Sequence, residues 1–127
     1  MIARDIMTRT VYTIGAEATA QEVAQLLAEK RISGVPVVDE HNTIIGIVTE
    51  ADIISKVIRE GLTVADLMSS EVITVDEEMD ASDIAGLLTE RRIKRVPVVS
   101  EGKLMGIVSR GDIVRAVAEG HLIIRQW

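Results

Sequence analysis

Residues 20–40 read AQEVAQLLAEKRISGVPVVDE, and residues 81–101 read ASDIAGLLTERRIKRVPVVSE. The second stretch repeats the first, with 12 of its 21 positions identical and its apolar positions matched almost throughout, which marks a duplication. The correspondence extends outward in both directions. Upstream, DIMTRTVYTI (5–14) lies over DLMSSEVITV (66–75). Downstream, IGIVTEADIISKV (45–57) lies over MGIVSRGDIVRAV (105–117), after a one-residue change of register where the copies read HNT and GK. Turns absorb such changes and strands do not.

Each copy reads as a βαββα unit. Val11 to Ile14 and Val72 to Val75 are short β-branched runs that predict one strand per copy. Thr19 with Glu22, and Asp80 with Asp83, stand at N-cap and N3 spacing ahead of apolar residues recurring at helical intervals. Gly34 to Val38 with Ile44 to Val48, and Arg95 to Val99 with Leu104 to Val108, predict two hairpins about polar turns. Ala51 to Ile58 and Gly111 to Ala118 carry a second helical period, with Gly61 and Gly120 as stop signals. Gly46 and Gly106 interrupt the last strand of each copy and mark either a bulge or a close approach to the backbone. Pro36 and Pro97 demand a sheet edge or a place where no N–H is needed.

The domain reading is therefore repeat 1 over residues 1–60 and repeat 2 with a C-terminal tail over 61–127, together one module. The fold class is α/β (α+β). A copy this small buries too little apolar surface alone. The two are expected to pack as a pseudo-twofold sheet-on-sheet sandwich with helices outside, leaving two related clefts.

Composition narrows the partners. A net charge of -6 and a pI near 4.9 oppose attraction to phosphate backbones, so no nucleic-acid partner is expected. Tyr12 and Trp127 are the only aromatic residues, too few for stacking platforms. Without cysteine there is no disulfide and no thiolate chemistry, which fits a reducing interior. The leading residues MIARDIMTR are charged where a signal peptide is apolar. No run reaches the roughly 18 apolar residues of a membrane span. The expectation is a soluble cytoplasmic protein with no membrane partner.

The last strand of each copy runs into a hydroxyl, two residues and an aspartate: Thr49-Glu50-Ala51-Asp52 and Ser109-Arg110-Gly111-Asp112. One reading is a helix cap, in which Ser or Thr and an acid three residues on satisfy each other's backbone amides. The other is a ligand site, in which the hydroxyl and amides meet an anion while the carboxylate accepts from vicinal ribose hydroxyls. Spacing leaves both open.

The doubled pattern of DIM or DLM, a β-branched strand, LLAEKRISGVPVVD or LLTERRIKRVPVVS, then GIVTEAD or GIVSRGD resembles the CBS (cystathionine β-synthase) domain family, which occurs as tandem pairs. The resemblance covers about residues 3–117. It implies a regulatory module that binds AMP, ADP, ATP or S-adenosylmethionine in clefts between the copies, with the motif Asp on the ribose. It places Thr8, Tyr12 and Ser33 with Ser109 and Asp112 in one cleft, and Ser69, Ile73 and Lys94 with Thr49 and Asp52 in the other. Lys94 and Arg95, ahead of the VPVV strand, are candidates for phosphate, or else a solvated surface pair. Copy 1 departs from this with Ser33 and Gly34, so the clefts are expected to differ. Tyr12 either lies along an adenine face or holds its hydroxyl in water.

No catalytic constellation accompanies these motifs. His41 and His121 fall outside them, and neither has a second histidine or nucleophile at metal or triad spacing. The module is read as a non-enzyme that requires no cofactor, forms a homodimer and signals to a regulated protein that the sequence does not name. The competing reading is a dimerisation scaffold with empty clefts, joined by Ile53, Val57, Ile113 and Val117, unless those residues are core. The tail HLIIRQW (121–127) lies outside the duplication and either packs back or docks on another chain.

Overall fold

Thr19 and Asp80 stand where helices begin, and in the computed structural model both do cap them. Thr19 Oγ1 accepts from the Glu22 amide at 3.0 Å, and Asp80 Oδ1 accepts from the Ser82 amide at 2.9 Å. The structure describes residues 1–56 and 60–123. Its elements are α1 (Ala3–Ile6), α2 (Ala20–Lys30), β1 (Gly34–Val38), β2 (Ile44–Thr49), α3 (Glu50–Ile54), α4 (Val64–Leu67), β3 (Val75–Asp76), α5 (Ala81–Arg91), β4 (Arg95–Ser100), β5 (Lys103–Ser109) and α6 (Arg110–Ala118).

The chain divides into two compact units that cut across the repeats: Tyr12–Val72, and Met1–Val11 together with Ile73–Trp127. The leading segment of each copy folds with the body of the other. In the first unit β1 and β2 form an antiparallel pair, and Val23, Leu27, Val35, Val37, Val48, Val64 and Leu67 make the core. In the second, β3 runs parallel to β4 and β4 antiparallel to β5, over Ala3, Met7, Val75, Ile84, Leu88, Val96, Val98 and Val108. Alternation along β2 and β5 turns every second residue inward, as a sheet with one buried face requires.

The hairpins explain the prolines and glycines. Ile47 exchanges both backbone hydrogen bonds with Ser69, and Ile107 does the same with Thr8, so neither faces its hairpin partner with an N–H. Pro36 and Pro97 lie opposite these residues, where the ladder asks for no donor. The register shifts beside each glycine, between Val37 and Val38 and between Val98 and Val99, so each hairpin carries a bulge. A Cβ at Gly46 would stand 3.0 Å from the Ser69 carbonyl oxygen, and one at Gly106 would stand 2.8 Å from that of Thr8. The close approach is made by backbone of the leading segments. The one-residue length difference falls in the turns: Glu101 and Gly102 both have positive φ, as a two-residue hairpin turn needs, while Asp39 Oδ1 braces the longer turn through the His41 and Thr43 amides.

Several expectations need correcting. The strands expected at Val11–Ile14 and Val72–Val75 contract to one bridge, Ile14 with Val37, and to Val75–Asp76, because the residues before them have no ladder partner. Instead, each leading segment contains a single helical turn, α1 or α4, too short to show a helical period, although Thr63 and Asp66 at α4 carry the same hydroxyl–carboxylate cap spacing as the two motifs. Asp5 Oδ2 accepts the Ile2 amide at 3.0 Å, and Asp66 Oδ2 accepts the Thr63 amide at 2.8 Å. The helix expected over Ala51–Ile58 is described as Glu50–Ile54, with Val57 and Ile58 outside the described residues. Gly61 and Gly120 have φ of 71° and 81°, the left-handed backbone suited to ending a helix.

Candidate functional site

Both motifs are helix caps, built alike. Thr49 stands at the start of α3, its hydroxyl 3.4 Å from the Asp52 amide, while Asp52 Oδ2 accepts from the Thr49 amide at 2.8 Å and from its hydroxyl at 3.0 Å. Ser109 and Asp112 repeat this at α6, with 2.8 Å and 3.0 Å to Asp112 Oδ2 and 3.3 Å from the Asp112 amide to Ser109 Oγ. Each carboxylate thereby commits one oxygen to its own helix start.

The other oxygen distinguishes them. Asp112 Oδ1 accepts from the Thr8 hydroxyl at 3.0 Å and from Arg115 Nη1 at 3.0 Å, and Asp112 is 2% exposed. Burial of a carboxylate is tolerable here because four donors surround it. Asp52 is only half-buried, and among the described residues its Oδ1 has no partner. Ser69 matches Thr8 in the repeat and pairs with Ile47 through its backbone, yet its hydroxyl makes no hydrogen bond to Asp52.

The hairpin register decides which neighbours attend each motif. Gly34 lies opposite Thr49, and the Glu50 amide donates to the Ser33 carbonyl at 2.9 Å. Arg95 lies opposite Ser109, and the Arg110 amide donates to the Lys94 carbonyl at 3.0 Å. Lys94 and Arg95 thus share a unit with Ser109 and Asp112, while Ser33 and Gly34 share one with Thr49 and Asp52. The sequence grouping had set Ser33 with Asp112 and Lys94 with Asp52. Each residue ahead of a hairpin meets the motif at that hairpin's own far end, which strand pairing makes unavoidable. Tyr12 is 44% exposed and has Lys30 Nζ 5.1 Å from its ring centroid, so the cation attends its π-face. Ile73 is 37% exposed.

The remaining candidates are placed as follows. His41 and His121 lie 3.5 Å and 3.6 Å from Glu40 and Glu119, and among the described residues no three potential ligands gather around a metal position. Ile53 and Ile113 pack on the two cores, whereas their neighbours Ile54 and Val114 are 71% and 66% exposed. A step of one residue turns a helical side chain by about 100°, which moves the apolar outward face expected of Ile53 and Ile113 to the adjacent positions. Val57 and the end of the tail, including Trp127, lie outside the described residues. Among those described, no helix is long and apolar enough to cross a membrane.

Two α/β repeats, each closing a bulged hairpin on a hydroxyl–carboxylate helix cap, define a tandem-repeat module. The family profile of the CBS domain matches residues 3–59 and again 64–119, and the chain belongs to that family. It is similar to protein MK0525 of Methanopyrus kandleri, 37% identical over 117 residues that cover 87% of this chain and 60% of the relative. The chain thus spans less than two thirds of that relative's length. Among solved structures it resembles the CBS domain pair of protein MJ0100 in complex with 5′-methylthioadenosine and S-adenosyl-L-methionine, with a TM-score of 0.82, 29% identity and 94% of this chain over 98% of that one. It also resembles CBSX2 of Arabidopsis thaliana in complex with AMP, at a TM-score of 0.86, 29% identity and 93% of this chain over 97% of that one.

Proposed function

We propose that this chain is a ligand-sensing regulatory module and not an enzyme. It takes adenosine compounds, from AMP, ADP and ATP to S-adenosylmethionine, at the Thr49–Asp52 and Ser109–Asp112 motifs, and passes the resulting change to a protein partner. The observation that carries this reading is the pair of aspartates held alike through Oδ2 at the two helix starts, with Asp52 Oδ1 open to a ribose hydroxyl. The adenosine ligands held by the CBS pairs of MJ0100 and CBSX2 support the choice of ligand class. In the proposal Thr8, Tyr12, Ser33, Gly34, Ser69, Ile73, Lys94 and Arg95 complete the two sites, the protein acts in the cytoplasm, and it works as a homodimer.

Titration calorimetry with AMP, ADP, ATP and S-adenosylmethionine tests it. At least one is expected to bind, and to raise the melting temperature in proportion to the logarithm of its concentration. Asp52→Asn with Asp112→Asn should abolish both effects. Absence of heat from all four compounds would overturn the proposal. The scaffold reading draws on the exposed pair Ile54 and Val114, and would be favoured by a dimer in the ultracentrifuge that no nucleotide affects.

A further inference from the structure

The tail stands outside the duplicated pair, yet its residues 122–127, LIIRQW, match the opening of each copy: MIARDI at 1–6 and LTVADL at 62–67. All three are apolar at the first, third and sixth positions. Ile2 and Arg4 recur unchanged as Ile123 and Arg125. The capping Asp5 and Asp66 are matched by Gln126, whose side-chain carbonyl can accept the same backbone amide.

Each unit has one place for such a segment. In the first unit α4 fills it, directly after the copy whose body it completes. The Val64 amide donates to the Ala18 carbonyl at 2.8 Å, the Ala20 amide donates to the Leu62 carbonyl at 2.9 Å, and Thr63 bridges Thr19. In the second unit α1 makes the corresponding bonds, though it comes from the far end of the chain. The Ala3 amide donates to the Met79 carbonyl at 2.8 Å, the Ala81 amide donates to the Met1 carbonyl at 2.9 Å, and Ile2 bridges Asp80. The tail has the connection of α4, because it follows the body of the second copy as α4 follows the first. Gly120, at a φ of 81°, turns the chain back, and the His121 and Leu122 amides both donate to the Ala116 carbonyl. His121 then lines a small cavity with Met1, Asp5 and Ile6, so the tail leaves α6 at the rim of the place that α1 fills. Ile123 is 93% exposed there. Arg4 Nη1 lies 3.6 Å from Glu77 Oε1, a partner equally suited to Arg125.

We propose that residues 122–127 are a spare leading segment that exchanges with residues 1–6 on the second unit. In the exchanged form Ile124 takes the place of Ala3, Trp127 that of Ile6, and Arg125 meets Glu77. The matching position of the first unit holds Val64, fully buried, so the fold admits a branched side chain there. The extra bulk of Ile124 over Ala3 keeps the α1-seated form dominant. Exchange releases the Thr8 hydroxyl from Asp112 Oδ1 and the Thr8 backbone from Ile107, which frees the edge of β5 while both hairpins stay folded. The tail is thereby a switch on the second unit.

The chain contains no cysteine, so an introduced pair reads a single contact. Ile2 and Asp80 form a non-hydrogen-bonded antiparallel pair, a geometry that suits a disulfide. In the full chain, Ile123→Cys with Asp80→Cys should close an intramolecular disulfide on mild oxidation. Trypsin should then cut at Arg4 about tenfold faster than in the reduced protein. Ile2→Cys with Asp80→Cys, which locks α1 in place, should suppress that cleavage. Trp127 is the sole tryptophan, and Ala3→Glu, which unseats α1, should move its emission to the blue. A closed 2–80 pair beside an open 80–123 pair, a disulfide that leaves Arg4 protected, or unchanged emission in Ala3→Glu would refute the exchange. Disulfide-linked dimers in place of the closed monomer would also refute it, and would give the place to the tail of a second copy.

Discussion

A methyl group at Gly106 would meet the Met7 sulfur at 2.8 Å and the Thr8 carbonyl oxygen at 2.8 Å, and one at Gly46 would meet Met68 Sδ at 2.6 Å and the Ser69 carbonyl oxygen at 3.0 Å. A thioether can swing aside, but a paired backbone carbonyl cannot without breaking its hydrogen bond. Gly106→Ala should therefore cost about 2–3 kcal/mol and Gly46→Ala somewhat less, near 1–2 kcal/mol. Gly86 offers the contrast: it lies inside α5 with nothing within 4 Å of its would-be Cβ, so Gly86→Ala should stabilise by about 0.5–1 kcal/mol. Urea denaturation of the three variants checks the ranking, and equal costs at Gly106 and Gly86 would refute the account. Asp112 also belongs to this scale. Its tie to Thr8 joins residues far apart in sequence, and nothing local to either residue announces it.

Among the elements, the short turns carry a signature in acid. Ser82, through its hydroxyl and then its amide, holds the Asp80 carboxyl below the ordinary 3.8 at the start of α5, and the Thr63 amide followed by its hydroxyl does the same for Asp66 at α4. A carboxyl whose pKa is lower in the folded chain stabilises it fully above the ordinary value. That contribution fades as pH falls through the depressed folded value. Denaturation midpoints of wild type and Asp80→Asn should therefore keep a constant separation at neutral pH and converge below about pH 3.8. A separation unchanged down to pH 2 would contradict this. The same elements show what sequence reveals. Helices α2 and α5 and both hairpins were legible because their caps, periods and turns are local, and so was each hydroxyl–carboxylate pair. Helices α1 and α4 were not: one turn has no period, and Ile2 offers its capping aspartate only a backbone amide. The pairing of Lys94 and Arg95 with Ser109 is set by hairpin register, which emerges only when the strands are laid side by side.

For the whole molecule, the division into Tyr12–Val72 and Met1–Val11 with Ile73–Trp127 makes a prediction that the repeat boundaries alone would reverse. Ala3 and Met7 are buried in the core of the second unit, and Thr8 pairs with Ile107. Removing residues 1–11 should therefore strip hydrogen-exchange protection from β4 and β5 much more than from β1 and β2, though the deleted residues belong to copy 1. Greater loss in β1 and β2 would refute the assignment.

This reciprocal lending of leading segments bears on how the gene must have grown. A lone ancestral copy would carry a first helical turn with no body of its own to complete, and an open flank beside its own hairpin. Only by receiving the equivalent piece from a sister polypeptide would it become whole. Fusion of two such genes would turn that exchange between molecules into one within a single chain. Separately expressed halves, 1–60 and 61–127, should accordingly restore each other when mixed.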